Sequence, residues 1–171
     1  MKVICSSEES LYRPEAVRWR QRMELMKPLG DTVVLLPCSM KKPYSNSKSH
    51  QKFRKVSRSF QELIITSPFG ICPRELENTF PIQSYDVAVT GSWSQDEIDE
   101  SGKLLEKYVK SKNVIANVHG GYEEVCRRFL ADEEDFSEEK IEKAGIKKRF
   151  ENNNLNQCIK EIEQEIVKKI K

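Results

Sequence analysis

Short apolar runs recur four times along the chain and are separated by longer stretches of mixed polarity. The runs are rich in β-branched residues and cover 31–36, 62–66, 86–90 and 113–118. Runs of this length and composition are typical of strands that are buried on both faces, as in a parallel sheet. We therefore predict four strands, each followed by a turn that contains proline or glycine.

The stretches between and before these runs have the period of an α-helix. We predict helices over 10–27, 47–59, 94–110 and 122–130. In the first helix, Pro14 suits the first turn. The apolar face of this helix consists of Ala16, Trp19, Met23 and Met26. Ser94 with Glu97 three residues later has the spacing of a capping box at the start of the third helix.

Strands that alternate with helices indicate βαβ units. The fold class is therefore predicted to be α/β. We expect a three-layer α/β/α domain over 1–131, with a central, mostly parallel four-stranded sheet.

The last forty residues have a different pattern, and we interpret 132–171 as a helical C-terminal extension. Acidic residues dominate 132–139, and an apolar stripe at helical spacing follows on a Lys- and Glu-rich background. The stripe consists of Leu155, Ile159, Ile162, Ile166 and Ile170. Such a stripe suits packing against its own domain, or contact with a partner or a second copy of the chain.

Composition limits the classes of protein that fit. The chain has 171 residues, of which 37% are hydrophobic and 33% charged, so it is too apolar for a disordered chain and suits one domain with an appendage. No apolar run approaches the ~18–20 residues that span a bilayer, and the N-terminus lacks the apolar centre of a signal peptide. We expect a cytoplasmic protein without membrane association. The five cysteines, an odd number with no CxxC pair, argue against a disulfide framework or a zinc site.

The net charge of +2 hides an uneven distribution. No acidic residue lies between Asp31 and Glu62, although seven basic residues do. These are Lys41, Lys42, Lys48, Lys52, Arg54, Lys55 and Arg58. We interpret them as a surface for a phosphate backbone, with a merely solvated helix face as the alternative.

Chemically active residues follow the predicted strands. In open parallel sheets, ligands bind beyond the carboxyl ends of the strands, so we expect the site there. Cys38, Lys42 and His50 follow the first strand and are the predicted catalytic residues, because neighbouring cations favour a nucleophilic thiolate. An inert buried cysteine and a solvated lysine are the alternatives.

Four predicted substrate-binding residues lie in the same region or after the second strand. Tyr44 can stack on a base, and Ser47 suits the N-cap of the second helix. Arg74 and Glu75 follow a proline in a loop. They can recognise a phosphate and the edge of a purine-like base, or form a surface ion pair.

Three more predicted substrate-binding residues are Ser67, Gly91 and His119, each following a predicted strand. His119 precedes two glycines, which let a ligand approach the backbone closely. Trp93 suits a loop anchor better than a stacking surface.

The chain closely resembles archaeosine synthase in the run Pro37-Cys38-x3-Lys42-Pro43-Tyr44-x2-Ser47-x2-His50. That archaeal tRNA-modifying family is paralogous to the tRNA-guanine transglycosylases. The stretches 67–77 and 85–93 are also similar to the family. The resemblance covers roughly residues 10–130.

The resemblance implies a fold similar to that of uracil-DNA glycosylases, although the water-activating motif of those enzymes is not visible. It also implies addition of the amine of free lysine to the nitrile of 7-cyano-7-deazaguanine in tRNA, without a metal or redox cofactor. A radical S-adenosylmethionine lyase would then convert the adduct to archaeosine. Full-length members carry a transglycosylase-like region and an RNA-binding PUA domain, for which this chain is too short. We therefore expect partner subunits, including a separate tRNA-binding one.

The main hypothesis is an archaeosine synthase-like transferase that acts on tRNA. Cys38 would form a transient thioimidate, as the thiol of related nitrile reductases does, or only shape the pocket. Lys42 or His50 would donate a proton to the nitrile nitrogen. His119 or Glu75 would act as a base or read the base edge. The alternatives are a non-catalytic nucleobase- or tRNA-binding subunit of a modification complex and a divergent uracil-DNA-glycosylase-like protein.

Overall fold

The computed structural model describes residues 3–4, 8–86, 92–118, 120–130 and 148–150. The strands in this part of the chain are β1 (Val3–Ile4), β2 (Thr32–Pro37), β3 (Gln61–Thr66), β4 (Gly70–Pro73), β5 (Tyr85–Asp86), β6 (Asn113–Ala116) and β7 (Lys148–Phe150). Its α-helices are α1 (Pro14–Met23), α2 (Lys48–Ser57), α3 (Gln95–Tyr108) and α4 (Gly120–Leu130). None of the described helices is long and apolar enough to cross a membrane.

The central sheet has five strands in the order β4-β3-β2-β6-β7. β2 pairs in parallel with β3 and β6, and β6 pairs in parallel with β7, whereas β3 and β4 are antiparallel. The α/β class is confirmed. The predicted four-stranded, mostly parallel sheet is wrong, because the sheet is mixed and has a fifth strand.

The antiparallel pairing of β4 with β3 follows from the length of the connection between them. Only residues 67–69 separate β3 from β4, and a parallel neighbour would need a crossover of a dozen or more residues. The chain therefore returns as a hairpin. Because its apolar run is only Ile71-Cys72, β4 carries too weak a pattern to be recognised in the sequence.

α1 covers the outer part of this hairpin. Trp19 is 1% exposed, and its indole nitrogen donates to the carbonyl oxygen of Ile71 at 2.9 Å. Arg20 donates to the carbonyl oxygens of Pro68 at 2.6 Å and Leu11 at 2.5 Å. These side chains satisfy backbone groups that an edge strand and a turn would otherwise leave open.

The other differences lie at the ends of the chain and in the third predicted strand. Of the run 86–90, the described part is Asp86, and β5 pairs with β1 in a separate two-stranded sheet. Within the predicted helical extension, the structure describes Lys148–Phe150, which form β7. The predicted apolar stripe lies outside the described residues, and the boundary at residue 131 stays a prediction.

Helices pack on both faces of the central sheet. On one face, β2 contributes Val33 and Leu35 to a large core with buried residues of α1, α3 and α4. On the other face, Val34 and Leu36 pack against α2 and the residues after it. β2 is therefore buried on both faces, as its continuous apolar run predicted.

Two signals predicted for helix starts, the first-turn proline and the capping box, agree with the structure. Pro14 is at the first position of α1, and Ser94 with Glu97 forms a complete capping box at the start of α3. α1 begins later than predicted, because residues 8–12 form a 310 turn. Element starts are therefore set largely by local side-chain chemistry.

The contact between α3 and α4 allows a test of the packing. A Cβ at Gly102 would lie 2.0 Å from the ring of Phe129. We expect Gly102→Ala to lower the free energy of unfolding by about 1–3 kcal/mol, because the ring must move within a packed core. Gly30→Ala is the control, since nothing lies within 4 Å of its Cβ position. Urea unfolding of both variants measures this, and equal stability would contradict the packing described.

Candidate functional site

The candidate site lies at the carboxyl end of the sheet, where β2, β3 and β6 end. Cys38 follows β2 directly, and Tyr122 lies in the first turn of α4, after β6. The Cys38 sulfur lies 2.8 Å from the Tyr122 hydroxyl oxygen. Two neighbouring parallel strands thus bring a half-buried thiol and a phenol into hydrogen-bond contact.

The phenol is held in place by aromatic packing. Trp93 meets the Tyr122 ring edge-on, with centroids 4.9 Å apart. A Cβ at Gly121 would lie 2.4 Å from the Trp93 ring, so this close approach requires glycine. Trp93 is therefore a packing residue of the site, which agrees with the loop-anchor interpretation.

Burial raises the pKa of Tyr122 well above its ordinary value, and the neighbouring Cys38 raises it further. The phenol stays protonated at neutral pH and keeps a hydrogen to donate. A phenol O–H next to a sulfur stabilises the thiolate form by hydrogen bonding. Tyr122 is not among the predicted site residues, although its place directly after His119, Gly120 and Gly121 was a usable signal.

Lys42 lies over a second group of hydroxyls at this end of the sheet. Its ammonium nitrogen is 4.2 Å from the ring centroid of Tyr85 and 5.2 Å from that of Tyr44. It also donates to the carbonyl oxygen of Ser39. The aromatic rings and the carbonyl hold the cation close to the loop that carries Cys38.

Tyr85 joins these hydroxyls and is also not among the predicted site residues. Its hydroxyl lies 2.6 Å from the Tyr44 hydroxyl and 2.5 Å from the Thr66 hydroxyl. Burial raises the pKa of both tyrosines well above the ordinary value. The phenols therefore stay neutral. Tyr44 itself is fully buried, which makes it part of the floor of the site rather than a surface for stacking.

His50 lies beneath the loop of Cys38 and is fully buried. Its Nε2 donates to the carbonyl oxygen of Pro37 at 2.7 Å, so Nδ1 accepts from Arg74 at 2.8 Å. Burial, followed by the charge of Arg74, lowers the pKa of His50 to about 4. The ring is neutral, and both of its nitrogens are used within the protein.

Arg74 is the centre of a buried ion network. Its side chain is 11% exposed and forms ion pairs with Glu62 at 2.6 Å and Glu77 at 3.0 Å. Glu77 also accepts from the backbone nitrogen of Ser45 at 3.0 Å. The network joins β3, the 310 turn at Arg74–Leu76 and the loop before α2. The Arg74 guanidinium therefore makes its contacts with other groups of the protein.

The remaining polar candidates have local roles. Ser47 caps α2, because its side chain accepts from the backbone nitrogen of His50 at 3.2 Å. This confirms the N-cap prediction. Ser67 donates to Glu97 at 2.7 Å, which ties the end of β3 to the start of α3. Both serines therefore make contacts within the protein.

Glu75 lies at the opposite, amino end of the sheet. It is exposed and accepts from Gln61 at 2.9 Å. A cavity of about 550 Å³ lies at this end and is lined by residues that include Arg54, Arg58 and Glu75. Gly91 and His119 lie outside the described residues. The structure therefore brings Cys38 and Lys42 to the carboxyl end but separates Glu75 from them.

The fold and the site define a class of protein: an α/β domain that presents a thiol, an ammonium group and buried phenols where parallel strands end. Within the described residues, no three His, Cys, Asp or Glu side chains are grouped to hold a metal ion. The family described as "Domain of unknown function (DUF5591)" matches residues 16–162. The chain belongs to this family.

Curated relatives carry more specific names. The chain is 43% identical over 136 residues to archaeosine synthase subunit alpha of Methanosarcina acetivorans, covering 74% of this chain and 22% of that protein. It is 38% identical over 167 residues to the subunit of the same name from Thermoplasma acidophilum, covering 92% and 30%. The chain therefore spans less than a third of the length of either protein. The predicted resemblance to the core domain of archaeosine synthase is confirmed.

The chain is also similar to a more distant relative and to a solved structure. The tRNA-guanine(15) transglycosylase of Methanobrevibacter smithii is 28% identical over 149 residues, which cover 75% of this chain and 22% of that protein. The crystal structure of AF0587, a protein of unknown function, matches with a TM-score of 0.56 and 31% identity. The match covers 86% of this chain and 48% of that chain, which supports the α/β architecture.

The state of His50 predicts how stability depends on pH. Its pKa is about 4 in the folded protein and near 6.5 when unfolded. Folding favours the neutral form of the ring. The contribution of His50 to the free energy of unfolding is therefore complete above about pH 6.5 and is lost as the pH falls towards 4. We expect the free energy of unfolding to fall between pH 6.5 and 5 by up to about 1.4 kcal/mol per pH unit.

Urea unfolding at several pH values measures this slope, and His50→Gln should flatten it. His119→Gln is the control, because it removes the other histidine of the chain and leaves His50 in place. An unchanged slope in His50→Gln would show that His50 is not the group responsible.

Proposed function

We propose that this chain is the core domain of an archaeosine synthase, which modifies tRNA by adding lysine to the nitrile of 7-cyano-7-deazaguanine. The observation that carries the proposal is the contact between Cys38 and Tyr122 at the carboxyl end of the sheet. Lys42 lies in the same loop as the thiol. The names of the curated relatives support the choice of substrate.

The reaction has two balanced steps. In the first, the Cys38 sulfur bonds to the nitrile carbon, one C–N π bond breaks, and the thiol proton ends on nitrogen to give a thioimidate. In the second, an amine of lysine attacks this carbon and the C–S bond breaks. The product is an amidine, and the thiol regains a proton from the attacking amine. No oxidant or reductant is consumed.

Tyr122 acts on the sulfur in this scheme. Its O–H stabilises the thiolate before the attack and again when sulfur leaves. The buried phenol stays protonated, so the hydrogen bond persists at neutral pH. Tyr122 is therefore a catalytic residue in this proposal, because it contacts a reacting atom.

Lys42 serves the nitrile nitrogen, where negative charge develops during the attack. Its ammonium group is held over the Tyr85 ring, on the loop that carries Cys38. His50 is assigned a positioning role, because both ring nitrogens bond within the protein. Through the carbonyl oxygen of Pro37 it fixes the backbone that precedes Cys38.

The proposed partners follow from the names and lengths of the relatives. Two relatives are called subunit alpha, and this chain spans less than a third of each, so we propose that it works with other subunits that bind tRNA. A radical S-adenosylmethionine lyase would consume the lysine adduct. The similarity to the uracil-DNA-glycosylase fold and the roles of Gly91 and His119 stay predictions.

Mass spectrometry tests the reaction. The full chain, lysine and tRNA that carries the nitrile base should yield a nucleoside heavier by one lysine, either directly or once the partner subunits are added. We expect Cys38→Ala to lower the rate of adduct formation by about 100-fold or more, because the nucleophile is lost. Cys72→Ala is the control, since the Cys72 thiol is buried on β4 and donates to the carbonyl oxygen of Pro73.

The outcomes separate two claims. No adduct with the wild-type chain, even with partner subunits present, would overturn the proposed activity. Full activity of Cys38→Ala would instead rule out the thioimidate intermediate. The reaction would then proceed by direct attack of the lysine amine on the nitrile carbon.

Tyr122→Phe tests the hydrogen bond to sulfur. We expect adduct formation to slow about 10- to 100-fold, as for loss of one hydrogen bond to a charged group. Alkylation of Cys38 by iodoacetamide at neutral pH, followed on the Cys38 peptide, should also become slower. Tyr108→Phe is a matched control, because its hydroxyl is buried without a partner among the described residues. An alkylation rate of Cys38 that is unchanged in Tyr122→Phe would contradict the assigned role, whatever the tRNA assay shows.

A second candidate function is a non-catalytic tRNA-binding subunit. The row of exposed cations on α2 favours it, because that row can bind RNA whether or not Cys38 reacts. Salt-dependent binding of tRNA without any adduct would support this candidate over the enzyme.

A further inference from the structure

The exposed face of α2 carries a concentrated positive charge. Its apolar side packs on the sheet through Phe53 and Val56. The opposite side, with the residue that follows the helix, carries five exposed basic side chains, which we call the α2 ridge: Lys48, Lys52, Arg54, Lys55 and Arg58. Lys48, Lys52 and Lys55 have i, i+4, i+7 spacing and form one stripe; Arg54 and Arg58, four residues apart, form a second stripe beside it.

The α2 ridge lacks compensating acids. Among the described residues, none of its five side chains forms an ion pair, whereas Arg20, Arg74, Lys112 and Arg128 all do. Arg54 has a neutral contact, donating to the Ser45 hydroxyl at 3.4 Å. The first turn of α2 also contains no acidic residue.

Such an arrangement opposes helix formation. Like charges three or four residues apart destabilise a helix. Lys48 at the N-terminus of α2 also interacts unfavourably with the helix dipole, whereas Arg54 and Lys55 in the last turn interact favourably with it. The mutual repulsion of the ridge side chains therefore costs stability in the free protein, and an anionic ligand lying along the ridge would relieve it.

The α2 ridge extends from the carboxyl end of the sheet to its amino end. α2 begins beside the Cys38 loop, since His50 in its first turn bonds to the carbonyl oxygen of Pro37. Its last turn and the residues after it reach the amino end, where Arg54, Arg58 and Phe60 line the 550 Å³ cavity. Ten residues of helix span about 15 Å.

We propose that the α2 ridge is the track along which the RNA phosphate backbone leaves the Cys38 site, and that the cavity at the amino end receives one further nucleotide. The identity of the RNA as tRNA rests on the proposed function. The cavity volume falls in the range of ligand pockets. The cavity lining also contains Asp31, Glu62 and Glu75, which contact Lys112, Arg74 and Gln61 respectively. Arg54 and Arg58 are therefore the cations of the lining that suit a phosphate, and the partly buried ring of Phe60 suits the flat face of a base.

Charge complementarity selects RNA over other partners. A repeating polyanion can contact all five side chains at once and releases counterions as it binds. A single small anion would meet only one or two of them. An acidic protein segment is the remaining alternative, and the test separates it from RNA.

The test measures binding of an unmodified tRNA transcript by the full chain at several salt concentrations. The triple variant Lys48→Gln/Lys52→Gln/Lys55→Gln should bind at least tenfold more weakly at low salt. The slope of log affinity against log salt should fall by about 0.7–0.9 for each phosphate that the variant no longer neutralises. Lys103→Gln/Lys107→Gln/Lys110→Gln is the matched control, with the same charge change on exposed positions of α3 and the residues after it.

Arg58→Gln changes a side chain that belongs to both the ridge and the cavity lining, and it should weaken binding about threefold or more, with a smaller salt slope. Unchanged affinity in Arg58→Gln would contradict the binding of a nucleotide in the cavity. Equal affinity and salt slope for the α2 triple variant and the α3 control would contradict the claim that the ridge binds RNA. Binding of the chain to polyglutamate but not to the tRNA transcript would contradict it as well, and would favour an acidic protein partner. The assay uses neither lysine nor the nitrile base, so its result is independent of whether adduct formation fails.

Discussion

The buried charge of Arg74 is the interaction on which the site depends. A guanidinium at 11% exposure is stable only with paired acids, and Glu62 and Glu77 supply them. Loss of one member of such a group leaves an unpaired buried charge, which typically costs about 3–5 kcal/mol. The same guanidinium donates to His50, so the network sets the tautomer of the ring as well as its position.

This network acts on the reactive loop through backbone contacts. His50 holds the carbonyl oxygen of Pro37, and Glu77 holds the backbone nitrogen of Ser45. Cys38 and Lys42 lie between these two fixed points. The charged network is therefore on the α2 side of the sheet, whereas the thiol faces Tyr122 of α4. A rigid support behind the loop and a half-buried thiol in front suit a site that must place a nucleophile accurately.

The sequence predicted much of the fold but only part of the site. The strands predicted from the apolar runs 31–36, 62–66 and 113–118 and the helices with clear caps were correct, because apolar runs and capping residues are local signals. Most of the run 86–90 lies outside the described residues. The strand β4 was not recognised, because its pairing depends on a three-residue turn rather than on its own short apolar run. Arg74 was predicted to bind substrate, since the sequence does not show that Glu62, 12 residues away, and the nearby Glu77 both pair with it inside the protein.

The sequence alone determined the family, the basic character of α2 and the importance of Cys38 and Lys42 as candidates, because motif spacing and charge can be read along the chain. Tertiary structure decided which groups these residues meet. Tyr122 is 84 residues from Cys38, and only the parallel pairing of β2 with β6 brings the end of one strand to the helix after the other. Contacts between distant residues follow from strand order, which local patterns do not encode.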